Sequence, residues 1–155
     1  MNTNKLYYTF DELKLDLHSI VKKIEVDKWI PDIIIGPCRG AYIPGVMLSH
    51  HFKKPFEGFV WQTRDGTKKD LNKLEEIIKE NKGKKVLLID DINDSGLTLT
   101  AIVNEINKVD PSINLKTCVI FSKTQSRFTS VDYFSKQLTP ENNPWVVFPY
   151  EEWWK

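Results

Sequence analysis

Apolar residues recur along the chain with two different spacings, which predicts a regular alternation of helices and strands. Helical spacing predicts four helices: residues 10–28, a segment containing Ile43, Val46 and Met47, a segment from Leu71 to about Gly83, and a segment from Leu99 that ends before Pro111. Short apolar runs predict five strands, at residues 33–35, 57–61, 86–89, 115–121 and 145–148. Strands that alternate with helices form parallel sheets covered on both faces, so the predicted fold class is α/β.

One predicted strand runs directly into a group of acidic residues. The segment 86–99 reads VLLIDDINDSGLTL, in which Asp90 and Asp91 follow four apolar residues and Asp94 comes shortly after. Three carboxylates so close together repel one another. Because ligands of parallel sheets bind beyond the carboxyl ends of the strands, this position favours a binding site.

The turn after the acidic pair has the composition of a phosphate site. Ser95, Gly96 and Thr98 offer hydroxyls and backbone N–H groups just before a predicted helix. A ligand with both a phosphate and a sugar would explain the carboxylates, which accept hydrogen bonds from hydroxyls, and Mg²⁺ would offset their charge. The alternative is a solvated strand end in which Asp94 or Ser95 caps the helix.

Composition narrows the classes of function. The chain has 155 residues, 41% of them hydrophobic, which predicts a single domain over residues 1–155. The formal charge of +1 gives no global field toward nucleic acid or an anionic membrane, so neither is an expected partner. The first residues lack the pattern of a signal peptide, no apolar run approaches the roughly 18 residues of a membrane span, and two cysteines make no disulfide framework. A cytoplasmic protein is therefore expected.

The motif at residues 86–99 resembles the phosphoribosyl pyrophosphate (PRPP) motif of type I phosphoribosyltransferases. Both have four apolar residues, two acids, an apolar residue and a D-[ST]-G-x-T loop, and the purine salvage branch is most similar. The resemblance extends from about Ile33 to Glu151. It implies a central parallel sheet of about five strands flanked by helices, with a small C-terminal hood. It also implies transfer of ribose 5-phosphate from PRPP to a 6-oxopurine (guanine, xanthine or hypoxanthine), with Mg²⁺ as cofactor.

The resemblance assigns roles to the residues of this motif. Asp90 and Asp91 would hold the ribose hydroxyls and a metal ion, and Asp94 would act near N7 of the purine as general base or acid. The 5′-phosphate would be held by Ser95, Gly96, Leu97 and Thr98.

A second candidate anion site follows the first predicted strand, in the segment IGPCRGAYIPG. Gly36, Gly40 and Gly45 permit tight turns, and the guanidinium of Arg39 can bind phosphate through two hydrogen bonds. Taken alone, this segment is more typical of an ordinary surface turn. By the resemblance it is the pyrophosphate loop, in which Arg39 and Gly40 bind PRPP, Arg39 assists catalysis, and the peptide bond between Cys38 and Arg39 is cis.

The resemblance also supplies a base pocket. Lys123, after the strand at 115–121, would donate a hydrogen bond to the 6-oxo oxygen of the purine. The 6-amino group of adenine cannot accept this hydrogen bond in the same way. Trp145 would stack on the purine, the main chain of Val146 would contact the base edge, and Glu151 would lie near the pyrophosphate and a second Mg²⁺. Residues 62–70 would form the mobile lid. For Lys123 the alternative is a solvated loop lysine.

The sequence is compatible with two other functions. One is a non-catalytic regulator that senses PRPP or a nucleotide, and the other is a phosphoribosyltransferase for a different base, such as a pyrimidine. The expected partners are PRPP and a purine base, together with further copies of the chain in a homodimer or homotetramer. The sequence leaves open which purine is preferred, the chemistry of residues 62–70, and the role of Trp153 and Trp154, which could pack between subunits.

Overall fold

Helices and strands alternate along the chain in a computed structural model that describes residues 4–63 and 66–155. The elements are β1 (Lys5–Tyr7), α1 (Phe10–Val26), β2 (Ile33–Cys38), α2 (Tyr42–Phe52), β3 (Phe56–Val60), α3 (Leu71–Glu80), β4 (Lys85–Asn93), α4 (Leu97–Val109), β5 (Asn114–Lys123), β6 (Tyr133–Leu138) and β7 (Trp145–Val147). All four predicted helices are confirmed. At the start of α1, Thr9 and Glu12 form a capping box, in which each residue satisfies a backbone N–H of the other.

The central sheet has five parallel strands in the order β3-β2-β4-β5-β6. One apolar cluster joins α1 and α2 to one face of this sheet, and a second joins α3 and α4 to the other face. The strands β1 and β7 form a separate two-stranded parallel sheet. The predicted α/β class, with a central parallel sheet of five strands between helices, is confirmed. In the described part of the chain, no helix combines the length and the apolar character needed to cross a membrane.

The identity of the fifth central strand was predicted wrongly. Residues 145–147 pair with β1 in the small sheet, whereas the edge of the central sheet is β6. Within β6 only Tyr133 and Leu138 are fully buried, and the residues between them include Ser135 and Lys136. A half-exposed edge strand of this kind lacks the continuous apolar run that identified the inner strands.

The inner strands are longer than their apolar runs. The predicted strand 86–89 extends to Asn93, so Asp90 and Asp91 belong to β4 and do not lie in a turn after it. Asp90 is paired in register with Val119, and Ile92 with Phe121. The ladder to β5 therefore fixes the backbone of the acidic pair.

Of the three apolar residues that predicted α2, only Met47 packs against the core. The buried residues of α2 are Pro44, Gly45 and Leu48, whereas Ile43 and Val46 are exposed. A Cβ added to Gly45 would lie 2.3 Å from the ring of Phe56. The helix approaches β3 so closely that a small residue must face inward.

Candidate active site

One cleft of about 890 Å³ opens at the carboxyl ends of the central strands. Every site residue predicted from the sequence lines it: Arg39, Gly40, Asp90, Asp91, Asp94, Ser95, Gly96, Leu97, Thr98, Lys123, Trp145, Val146 and Glu151. Trp153 and Trp154 also line it, and their rings meet edge to face at 6.0 Å. The structure thus brings the candidate residues together from separate parts of the chain, and the individual roles remain predictions.

The turn before α4 is built around a glycine that no other residue can replace without strain. Gly96 is the N-cap of α4 and has a φ of +84°, and an added Cβ would lie 2.4 Å from the amide nitrogen of Phe128. The cap position itself carries no side-chain hydrogen bond, so neither Asp94 nor Ser95 is the N-cap residue. The Ser95 hydroxyl instead accepts from the amide of Leu97 at 3.3 Å. This geometry fits a turn whose backbone is shaped for an anion.

A buried amide that the sequence analysis did not single out supports this turn. The side chain of Asn93 accepts from the Ser126 hydroxyl at 2.7 Å and donates to the carbonyl of Phe128 at 2.9 Å. The amide of Arg127 donates to the carbonyl of Ser95 at 3.0 Å. The segment after β5 therefore braces the turn after β4. Asn93 stands inside the motif, but nothing in its local pattern indicates partners more than thirty residues away.

The loop after β2 lies directly against the acidic pair. The peptide bond between Cys38 and Arg39 is cis, as predicted. A Cβ added to Gly40 would lie 2.3 Å from Oδ2 of Asp91, so the glycine permits this close approach. Of the three glycines expected in tight turns, only Gly40 lies in a turn, whereas Gly36 lies in β2 and Gly45 in α2, and none of them has a positive φ. They are sites of close packing.

The acidic pair is ordered by its own backbone and by a tyrosine. Asp90 is buried, and its Oδ1 accepts from the amide of Asp91 at 2.9 Å. The hydroxyl of Tyr150 lies 3.2 Å from both Oδ2 of Asp91 and the carbonyl oxygen of Gly40. Burial, together with the adjacent Asp91 carboxylate, raises the pKa of Tyr150 well above its ordinary value, so this hydroxyl keeps its proton. The sequence analysis did not identify Tyr150.

Lys123 and Asp94 form an ion pair inside the cleft. Nζ of Lys123 lies 2.7 Å from Oδ1 of Asp94, and the lysine side chain is only 14% exposed. A solvated loop lysine would be far more exposed, and β5 itself extends to Lys123. Since an ammonium group has three protons, Lys123 can donate to a ligand oxygen while it remains near Asp94.

The C-terminal segment closes one side of the cleft. The amide of Trp145 donates to the carbonyl of Asn4 at 2.8 Å, and the residue is 46% exposed. Oε2 of Glu151 accepts from the amide of Phe148 at 2.8 Å.

The first residues of the predicted lid, Gln62 and Thr63, also line the cleft. Residues 64 and 65 of this loop lie outside the described residues. The ends of this loop are held together, because Trp61 and Lys69 form an antiparallel bridge and the amide of Gln62 donates to the carbonyl of Lys68 at 2.8 Å. The hydroxyl oxygens of Thr63 and Thr98 are 3.4 Å apart. The start of the loop therefore reaches the first turn of α4.

The carboxylate oxygens of the acidic pair are suitable ligands for a magnesium ion that keeps part of its water shell. Over residues 4–63 and 66–155, no group of three or more His, Cys, Asp or Glu is placed to hold a metal ion by itself. Mg²⁺ does not need such a cage, because it is commonly bound by one or two carboxylates, waters and the phosphates of a substrate. Asp90 and Asp91 offer oxygen ligands of this kind.

The family model and the three known proteins described below are all phosphoribosyltransferases. Residues 8–153 match the family model of the phosphoribosyl transferase domain. The chain is 31% identical over 130 residues to a hypoxanthine-guanine phosphoribosyltransferase of Aquifex aeolicus, an alignment covering 79% of this chain and 72% of that protein. It superposes on the crystal structure of a purine phosphoribosyltransferase from Pyrococcus horikoshii with a TM-score of 0.75 and 26% identity, over 96% of this chain and 95% of that one. A xanthine-guanine-hypoxanthine phosphoribosyltransferase of Helicobacter pylori, 22% identical, shares the fold with a TM-score of 0.71 over 96% and 94% of the two chains.

Proposed function

The chain belongs to the phosphoribosyltransferase family of enzymes, and from this premise we propose that it transfers ribose 5-phosphate from PRPP to a 6-oxopurine. The products are the purine nucleoside monophosphate and pyrophosphate. Residues 1–155 would form one such domain. The observation that carries the proposal is the single cleft that joins the acidic pair, the turn before α4, the Arg39 loop and Lys123. The Aquifex aeolicus relative, 31% identical, is a hypoxanthine-guanine phosphoribosyltransferase, which supports the choice of base.

PRPP would bind across the ends of β2 and β4. Its 5′-phosphate would receive hydrogen bonds from the turn Ser95–Thr98, and its ribose hydroxyls would donate to the carboxylates of Asp90 and Asp91. The diphosphate would lie at the loop that carries Arg39 and Gly40. In the reaction, the bond between C1′ and the diphosphate oxygen breaks with its electron pair on the oxygen, and Arg39 would stabilise the negative charge that develops there.

The purine would lie between Trp145 and the ends of β4 and β5. Stacking on the exposed indole and a hydrogen bond from Lys123 to the 6-oxo oxygen would orient N9 toward C1′. As the bond from N9 to C1′ forms, the purine loses a proton, which Asp94 would accept near N7. The main chain of Val146 would contact the edge of the base.

A magnesium ion fits the acidic end of this cleft. We propose Asp90, Asp91 and, at a second position, Glu151 as its protein ligands, because all three carboxylates line the cleft. When bound, the ion would neutralise charge on the diphosphate. The chain's own contribution is to fix the carboxylates, through the β4 ladder and the bond from the Asp91 amide to Asp90.

The proposal is tested by initial rates with PRPP, Mg²⁺ and a panel of guanine, hypoxanthine, xanthine, adenine and uracil. We expect nucleotide formation and pyrophosphate release with at least one 6-oxopurine, and loss of activity when EDTA removes the metal. Binding of PRPP without turnover of any base would instead support the regulator, and turnover of uracil alone would support an enzyme for a different base.

Replacing either member of the acidic pair should weaken the use of PRPP without unfolding the protein. In Asp90→Asn the amide oxygen can still accept from the amide of Asp91, so the local backbone is retained. Loss of a charged acceptor for a ribose hydroxyl should raise the KM for PRPP about tenfold in Asp90→Asn and in Asp91→Asn. Steady-state kinetics and thermal melting measure the two effects separately. Wild-type kinetics in both variants would contradict the assigned role.

Self-association and a cytoplasmic location remain proposals. We propose a homodimer or homotetramer, supported by the apolar residues that α2 exposes, Tyr42, Ile43 and Val46. Light scattering coupled to gel filtration measures the mass, for which the single chain gives 18.1 kDa.

A further inference from the structure

Tyr150 connects parts of the chain that are far apart in sequence. It follows β7 in the C-terminal segment, yet its hydroxyl lies 3.2 Å from the carbonyl oxygen of Gly40 and 3.2 Å from Oδ2 of Asp91. Its ring stacks on the buried Phe148, with ring centres 5.5 Å apart and planes inclined by 10°. The ring contact fixes the position of the hydroxyl from behind.

The hydroxyl contacts a carboxylate that is already confined. An added Cβ on Gly40 would lie 2.3 Å from Oδ2 of Asp91, so this carboxylate packs directly against the loop after β2. A phenol hydroxyl has one proton, and the hydroxyl oxygen of Tyr150 lies at the same distance from two acceptors. The proton can therefore be donated to the carboxylate of Asp91 or to the carbonyl of Gly40, depending on which of these groups binds a ligand.

We propose that Tyr150 is a positioning residue that holds the Asp91 carboxylate against Gly40 and thereby ties the C-terminal segment to the PRPP half of the cleft. This inference rests on the proposed function. The same segment carries Trp145 and Glu151, which line the cleft. One hydroxyl thus links the wall of the proposed base pocket to the strand that binds the ribose and to the loop that binds the diphosphate.

The test is the substitution Tyr150→Phe, which removes the hydroxyl and keeps the stacked ring. We expect the KM for PRPP and the dissociation constant of PRPP with Mg²⁺, measured by calorimetry, to rise about tenfold, as for the loss of a hydrogen bond to a charged group. The KM for the purine should change far less. In an Asp91→Asn background the same substitution should have an effect of less than about twofold, because coupled residues are not additive.

Tyr133→Phe is the matched control, because the Tyr133 hydroxyl also donates to a carboxylate, that of Asp27 at 2.7 Å, away from the cleft. It should leave the constants for PRPP unchanged. A lower melting temperature of Tyr150→Phe with wild-type constants for PRPP would show a merely structural role and overturn the inference. An equal effect of Tyr150→Phe with and without Asp91→Asn would overturn the coupling to Asp91.

The two proposals fail in different ways. If the wild-type protein binds PRPP but forms no nucleotide, the proposed function is wrong, and the binding constants still test Tyr150. If nucleotide forms and Tyr150→Phe matches the wild type in every constant, the inference alone is wrong. If the wild-type protein does not bind PRPP, both are overturned.

Discussion

Asp94→Asn should lower kcat by about 10²- to 10⁴-fold, the usual contribution of a positioned acid–base group. The amide has nearly the shape of the carboxylate but cannot accept a proton from the purine. The KM for PRPP should change much less than kcat. Because the N-cap of α4 is Gly96, removal of the charge should not cost the roughly 1 kcal/mol that loss of a capping side chain costs. Single-turnover rates and thermal melting, both measured on this variant, distinguish a role of Asp94 in acid–base catalysis from a role in capping α4.

The control for Asp94→Asn is a second ion pair of the same length. Asp27 pairs with Lys116 at 2.7 Å, as Asp94 pairs with Lys123, and both carboxylates are partly exposed. Asp27→Asn therefore removes a comparable charge outside the cleft and should leave kcat unchanged. Equal losses of activity in the two variants would mean that the effect comes from a lost ion pair and not from catalysis.

The fold could be predicted where buried residues form continuous apolar runs in the sequence. The inner strands β2, β4 and β5 are apolar because helices cover both faces of the sheet, and their apolar runs located them. The edge strand β6 is covered less completely, and its run is broken by Ser135, Lys136 and Gln137. The face that α2 buries leaves little trace in the sequence for a different reason. Contact with Phe56 selects Gly45, which leaves no hydrophobic signal.

The site was predictable where one short segment carries several ligand groups. The motif at 86–99 predicts that the acidic pair and the segment Ser95–Thr98 share one site, and both line the cleft. The supporting contacts were not predictable in the same way. Asn93 bonds Ser126, and Tyr150 bonds Gly40 and Asp91, across separations that only the folded chain brings together. Such partners have no fixed spacing in the sequence.

In the proposed base pocket, the preference for one purine over another depends on the ammonium group of Lys123, which pairs with Asp94. Lys123 is largely buried and has only donors, so in the proposed pocket it would donate to the 6-oxo oxygen of hypoxanthine but would find no acceptor in the 6-amino group of adenine. A site built to donate one hydrogen bond discriminates strongly against a ligand that cannot accept it. Stacking on Trp145, in contrast, does not depend on the 6-substituent.

Lys123→Gln should therefore reduce the preference for hypoxanthine over adenine, measured as the ratio of kcat/KM values, by about 100-fold, because a carboxamide can donate to an oxo group or accept from an amino group. Trp145→Ala should lower kcat/KM for all purines together, by roughly 5- to 150-fold for the loss of about 1–3 kcal/mol of stacking. Lys116→Gln, which breaks the pair with Asp27 outside the cleft, controls for the loss of a lysine charge. If Lys123→Gln lowered kcat/KM equally for hypoxanthine and adenine, its role would be to hold Asp94 or a phosphate. The 6-oxopurine assignment would then depend on the similarity to known enzymes alone.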